Sequence, residues 1–435
     1  MSELDLGLKV GVRALLWSMG FSTRIDVQLR GHGKPSGGPA EAFTDLDVLG
    51  VAVGPGYRLS TTIADCKSGK SDKPTARMFW VRGVADLFGA DDAMLVREHD
   101  VNDATRQLSA KLGISVLPSA DLQQMQELHG PPLANSGGPL GILFDKAAAE
   151  AHLKAFTKLD KRLNPLVEYR DFDYWVYDPH RNPFQLVAHL KDAAGRLKPK
   201  DPDHLALFFD LAWLYLVALV RATEHVRGAF LTDPDRGLQE YMYGGATGLK
   251  EKTQVAKLLQ SLKPDGARDR DHLPEYYPAL REVVTRLLRR PSHMQAALRH
   301  AEAASALCAA RMRVTLANAF GAEFDPIAAK LVADVCGFLV TAADLDPEFR
   351  VQARAFVLAE PVAGDAPGTG TRTDRGARTV EAAPVSAAGP DVDPEAAPAA
   401  GSGAASDGDR ETAARSQPSQ GAESGRDEEQ ATLDI

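Results

Sequence analysis

Two aspartates and a lysine stand where a simple hairpin brings them together: Asp47, Asp65 and Lys67, within the stretch 44–70, TDLDVLGVAVGPGYRLSTTIADCKSGK. Val48, Val51 and Val53 mark one strand and Leu59, Ile63 and Cys66 a second, with Gly54-Pro55-Gly56 as the turn between them. Folding about Gly56 sets Asp47 opposite Asp65 and Asp45 opposite Lys67. Residues two apart on a strand share a face, so all four project on one side. Like charges held that close repel unless something neutralises them. A divalent cation does so: carboxylate oxygens suit Mg²⁺ or Mn²⁺, which keep waters and take substrate phosphate as a further ligand. Such an ion activates water and offsets charge developing on a phosphate. A lysine two residues beyond Asp65 is placed to orient or deprotonate the attacking water, or to hold the scissile phosphate.

This arrangement resembles the PD-(D/E)xK nuclease superfamily, whose core is an acidic residue on one strand and Asp/Glu-x-Lys on the next. The matching residues are Asp47 in Asp47-Val48-Leu49, and Asp65-Cys66-Lys67. The resemblance covers residues 1–130, nearest to the Mrr-like and Holliday-junction-resolvase-like branches. It implies that Asp47 and Asp65 are metal ligands, Lys67 the catalytic lysine and Mg²⁺, or Mn²⁺ in its place, the cofactor. The implied activity is hydrolysis of DNA, in restriction of foreign DNA or in repair. Many relatives carry a glutamate on the first helix about eleven residues before a Gly-Phe pair; here that place holds Lys9, ahead of Gly20-Phe21. Glu3 or Asp5 is the substitute within reach in the chain, and Asp45 a further accessory carboxylate. Lys70, Lys73 and Arg77, around the start of the next helix, are placed either to meet nucleic-acid backbone or to form an ordinary charged helix face.

The elements that must position these groups follow from periodicity. Leu4, Leu8, Val12, Leu15 and Met19 recur at helical spacing up to Gly20, and Ile25, Val27 and Leu29 alternate as in a strand. The loop 31–39 is rich in glycine and proline, and its His32 and Lys34 fit solvent better than phosphate. After the hairpin come a helix from Thr75 to Gly89, a strand over 93–96, a helix over 102–112, a strand over 114–117 and a helix capped by Ser119. This order predicts an α/β domain over 1–130, a mixed sheet flanked by helices of restriction-endonuclease-like type. A linker follows over 131–139, and then an all-α domain over 140–360 with helices at 147–163, 186–197, 205–226, 253–262, 280–288, 294–311 and 327–341. The apolar run Leu205 to Val220 is short for a membrane span and contains Asp210, which makes it a core helix. The aromatic segment from Tyr169 to Phe184 reads as core or interface. From Pro361 the composition turns to Ala, Gly, Pro, Ser and acidic residues, as expected of a disordered acidic tail.

Charge limits the partners. Of the net −9, residues 361–435 carry −8 and the first 360 carry −1. DNA binding therefore requires that the basic residues gather on one face. Three widely spaced cysteines, Cys66, Cys308 and Cys336, fit neither a disulfide set nor a zinc site and point to the reducing cytoplasm; no membrane partner is expected, since the run Leu205 to Val220 is short and charged for a span. A single site must dimerise or act twice to cut both strands, so a homodimer or larger complex is expected. The reading from another class is a non-catalytic, nuclease-like module that binds nucleic acid or protein, with the helical part as scaffold.

Overall fold

A computed structural model describes residues 3–31, 41–69, 73–129, 138–261 and 273–360; the expected linker at 131–139 falls largely outside them, and the expected tail wholly so. Helix α1 (Glu3–Ser18) leads into β1 (Ser22–Arg30), and β2 (Ala42–Val53) and β3 (Leu59–Lys67) follow as the hairpin. Then come α2 (Pro74–Phe88), β4 (Asp92–Arg97), α3 (Asp103–Leu112), β5 (Ile114–Pro118) and α4 (Ser119–Leu128). The five strands lie in chain order; β1, β2 and β3 are antiparallel, and β3, β4 and β5 parallel. The parallel half is made by crossovers through α2 and α3, as parallel pairing requires.

Over the paired stretch the hairpin register is the one expected from Gly56, from Val53 with Leu59 through Leu49 with Ile63 to Val48 with Ala64; the ladder stops short of the expected pairs Asp47–Asp65 and Asp45–Lys67. Gly56 has φ of +78°, which a residue without Cβ adopts freely. Two cores sandwich the sheet. On one face Val12, Leu15 and Leu16 of α1 meet Val48, Ala64 and Cys66; on the other Met78, Val81 and Val84 of α2 share a core with Leu49, Ile63 and Leu95. Gly50 lets α1 settle close, since a Cβ there would stand 3.0 Å from Leu16.

The helical region runs through α5 (Lys146–Ala155), α6 (Asn164–Glu168), α7 (Tyr174–Val176), α8 (Asn182–Ala193), α9 (Pro202–Ala229) and α10 (Pro234–Met242). It continues with α11 (Ala246–Ser261), α12 (Tyr277–Leu288), α13 (Met294–Ala309), α14 (Leu316–Phe320), α15 (Pro326–Ala342) and α16 (Glu348–Leu358). Helix α9 is long and apolar enough to cross a membrane by length and composition, yet 89% of its most apolar window is buried in the fold. It is the central core helix, and the α2-side core of the sheet runs on into it without a break.

Local departures from the expected elements have local causes. The helix expected over 147–163 stops at Ala155 and passes through two single 3₁₀ turns. The aromatic segment is helical around one π turn at Tyr169–Asp173, with Tyr169 and Tyr174 buried. Ser119 does not cap its helix: its hydroxyl donates to the Glu98 carbonyl.

Candidate functional site

Strict alternation would put Asp45, Asp47, Asp65 and Lys67 on one face. The chain departs from it at one place. Leu46 joins the α2-side core while Val48, two residues on, joins the α1-side core. Directly across on β1, between the pairs Ile25–Val48 and Val27–Leu46, Asp26 sits in the left-handed region with φ of +58°. A non-glycine residue there is uncommon and marks a local constraint. The turnover of both strands exposes Asp47 to groups arriving from either side of the sheet.

The result is a row of alternating charge across β1, β2 and β3. Lys9 of α1 sets its ammonium 2.5 Å from Asp26 Oδ1 and 2.7 Å from Asp47 Oδ1, with its side chain 4% exposed. Lys67 lies 3.5 Å from Asp47 Oδ2 and 3.4 Å from Asp65 Oδ1, with its side chain 30% exposed. Arg77 of α2 closes the row, donating from Nε to Asp65 Oδ2 at 2.7 Å and from Nη2 to Oδ1 at 2.5 Å. Its guanidinium lies 3.6 Å over the ring of Trp80. Asp47 Oδ2 also accepts the Cys66 N–H at 2.7 Å, which fixes that carboxylate against β3.

The charges sustain one another. Burial works against the ammonium of Lys9, but Asp47 and Asp26 more than reverse this and hold its pKa above the ordinary lysine value. Burial pushes the Asp26 carboxyl up, with Lys9 opposing. Lys67 is likewise raised, burial being outweighed by Asp65 and Asp47, so here it is a proton-bearing donor. Cys66, inside the Asp-x-Lys, is buried on the α1 side and its thiol is held well above the usual range, chiefly by burial.

The other expected site residues fall as follows. Asp45 is exposed, and its carboxylate lies within 4.8 Å of those of Asp26 and Asp47; Lys67 reaches Asp47 and Asp65 rather than its expected opposite, Asp45. Asp5 Oδ1 takes the Ser68 N–H at 3.0 Å and its hydroxyl at 2.6 Å, tying the start of α1 to the end of β3. Lys73 is exposed at the N-cap of α2 without a side-chain cap bond. Lys70, the side chain of Glu3, and His32 and Lys34 lie outside the described residues. Asp26 was not singled out from the sequence, since it reads as the polar position of an alternating strand; its register with Asp47 is the signal that would have found it. In the basic stretch 286–313, Arg286 pairs with Glu282 and Asp334, Arg299 lies over Trp17, and Arg311 binds Asp203.

The row has two cation positions. The donors are hard carboxylate oxygens, the kind Mg²⁺ and Mn²⁺ take. The inner gap, between Asp26 and Asp47, holds Lys9 at contact distance. The outer gap, between Asp47 and Asp65, holds Lys67 beyond the usual length of about 2.7–2.9 Å for a charge-assisted bond. Lys67 and Arg77, the two cations on Asp65, are 30% and 22% exposed, so the outer gap is the more open of the two. No protein-family profile, curated protein or solved structure matches the chain.

Proposed function

We propose that the chain is a restriction-endonuclease-like nuclease that hydrolyses phosphodiester bonds of DNA with one Mg²⁺ or Mn²⁺. It would act in the cytoplasm as a homodimer or in a larger complex, in restriction of foreign DNA or in repair. One observation carries this reading: carboxylate oxygens of Asp47 and Asp65, from adjacent strands, converge on one partly exposed ammonium. Asp47 and Asp65 would hold the ion, which when bound supplies an activated water and offsets charge on the phosphate. Lys67 donates to the water or to a phosphate oxygen. Arg77 exchanges Asp65 for the incoming phosphodiester, whose paired oxygens match its planar fork as a carboxylate does. Lys9 and the Cys66 N–H keep Asp47 oriented while Arg77 moves.

A second reading is favoured by a specific observation. Each oxygen of Asp47 and Asp65 already faces a donor: Lys9 and the Cys66 N–H on Asp47, and the two arms of Arg77 on Asp65. In that reading the row is a closed structural element, and the domain binds nucleic acid or protein without cutting. The two are separated by incubating supercoiled plasmid with the full chain and Mg²⁺ or Mn²⁺. The nuclease reading expects nicking or linearisation by wild type and a loss of about 10²–10⁴-fold in Lys67→Ala, the range for a positioned proton donor. Folded wild type inactive on supercoiled, linear and branched DNA favours the binding module.

A further inference from the structure

Lys9 enters the charged row from α1, and its surroundings assign it a role. Its neighbours along α1, Leu6, Val10 and Val12, are buried, and so is Lys9 itself. Its ammonium sits between Asp26 and Asp47 at 2.5 and 2.7 Å, lengths of direct ion contact. Its side chain is 4% exposed and that of its partner Asp26 15%. Lys67, in the neighbouring gap, differs in each respect: longer contacts, 30% exposure and a place at the end of its strand. Without Lys9, the inner gap would bring the carboxylates of Asp26, Asp45 and Asp47 within 4.8 Å of one another around no cation. Like charges at that distance drive protonation or capture of a cation.

We propose that Lys9 is the resident cation of the inner gap: it takes the place of a divalent ion between Asp26 and Asp47, and so restricts the row to a single exchangeable ion, in the outer gap. Lys9 is then a positioning residue. It holds Asp47 by Oδ1 and leaves Oδ2 facing the outer gap, toward Asp65. The outer ion belongs to the nuclease reading above, but the inner gap can be tested apart from it.

The test is the number of Mn²⁺ ions bound per full-length chain, read from the paramagnetic resonance of free Mn²⁺, for wild type, Lys9→Glu and Lys9→Gln, each alone and combined with Asp65→Ala. Circular dichroism confirms folding of each variant. Wild type is expected to bind at most one ion, lost with Asp65→Ala. Lys9→Glu is expected to bind one ion more than wild type; that ion survives Asp65→Ala and disappears with Asp26→Ala. Lys9→Gln, which adds no acid, gains the same ion more weakly and serves where Lys9→Glu does not fold. A wild-type chain that binds none, beside a Lys9→Glu chain that binds one, upholds the role of Lys9 and overturns the metal-dependent nuclease reading. An Asp26-dependent ion in wild type, or no added ion in the folded variants, overturns the role of Lys9.

Discussion

Two networks of buried charge among the described residues are built to opposite ends. At the junction of the sheet with the helices, Glu302 of α13 accepts from Arg13 Nη2 at 2.8 Å, from the Ser22 hydroxyl and the Thr23 N–H at 2.7 Å, and from the Thr23 hydroxyl at 2.6 Å. Beside it Asp210 of α9 holds Arg24 at 2.6 Å and also binds Arg170. Arg13, Arg24, Asp210 and Glu302 are all buried, and the small cavity they border, about 40 Å³, has room for roughly two waters. In the row at Asp47 and Asp65, by contrast, the outer members Lys67 and Arg77 are partly exposed and Lys67 stands off at 3.4–3.5 Å. Burial of charge is therefore not itself the mark of a site. The junction network is held at contact distance, though Arg24 Nε finds no partner there, and joins parts of the fold; a network with a looser, more exposed edge can exchange a partner.

The largest effect that breaks or sharpens this contrast is on stability. Asp210→Ala leaves Arg24 and Arg170 buried without their carboxylate, and urea unfolding should show a loss of about 3–5 kcal/mol. Asp65→Ala should stay within about 1 kcal/mol, because Lys67 and Arg77 can turn to water. Equal losses in the two would erase the distinction.

The next effect is acid sensitivity on the junction side. His300, on the same helix as Glu302 and packed against the rings of Phe320 and Phe324, is pushed down by burial to about 4 from an ordinary 6.5, with Asp325 opposing and Arg299 adding. In the unfolded chain it takes a proton below pH 6.5 while the folded chain stays neutral, so stability is full above 6.5 and falls as pH drops toward 4. The slope is about 1.4 kcal/mol per pH unit. From pH 6.5 to 5 the wild type should lose about 1.6 kcal/mol more than His300→Leu; parallel pH profiles would contradict this.

A smaller change probes the loose edge. Arg77→Ala should strengthen Mn²⁺ binding about tenfold, equivalent to ~1.4 kcal/mol, by releasing Asp65. In the same variant DNA affinity should fall, if Arg77 meets the phosphodiester as proposed. Weaker Mn²⁺ binding would mean that Arg77 supports the site rather than closing it.

The contrast also marks what could be read in the chain. The hairpin register followed from one glycine and two runs of β-branched residues, so the approach of Asp47 to Asp65 and Lys67 was legible. Helix α2 ends at Gly89 and α3 begins at Asn102, whose side chain accepts the Thr105 N–H, because those signals act within a few residues. Asp26 is not legible in the sequence, because its role depends on its own left-handed backbone inside an otherwise regular strand. Arg77 on Asp65 was out of reach too: side chains on a charged helix start choose between solvent and a carboxylate only when the helix is docked. The junction network was the least legible of all, since Arg13 and Glu302 are 289 residues apart and no local pattern links them. Helices α10 and α16 went unread for a related reason, as short amphipathic segments become helices by packing on α9 and α15.

The most direct test is diffraction at the manganese edge from crystals of the full chain soaked in Mn²⁺. A single anomalous peak at about 2.1 Å from both Asp47 Oδ2 and Asp65 Oδ1, the distance of a small octahedral ion, with Lys67 and Arg77 turned outward and Lys9 unmoved, is the expected result. No peak at the row, or a peak between Asp26 and Asp47 with Lys9 displaced, would contradict the account.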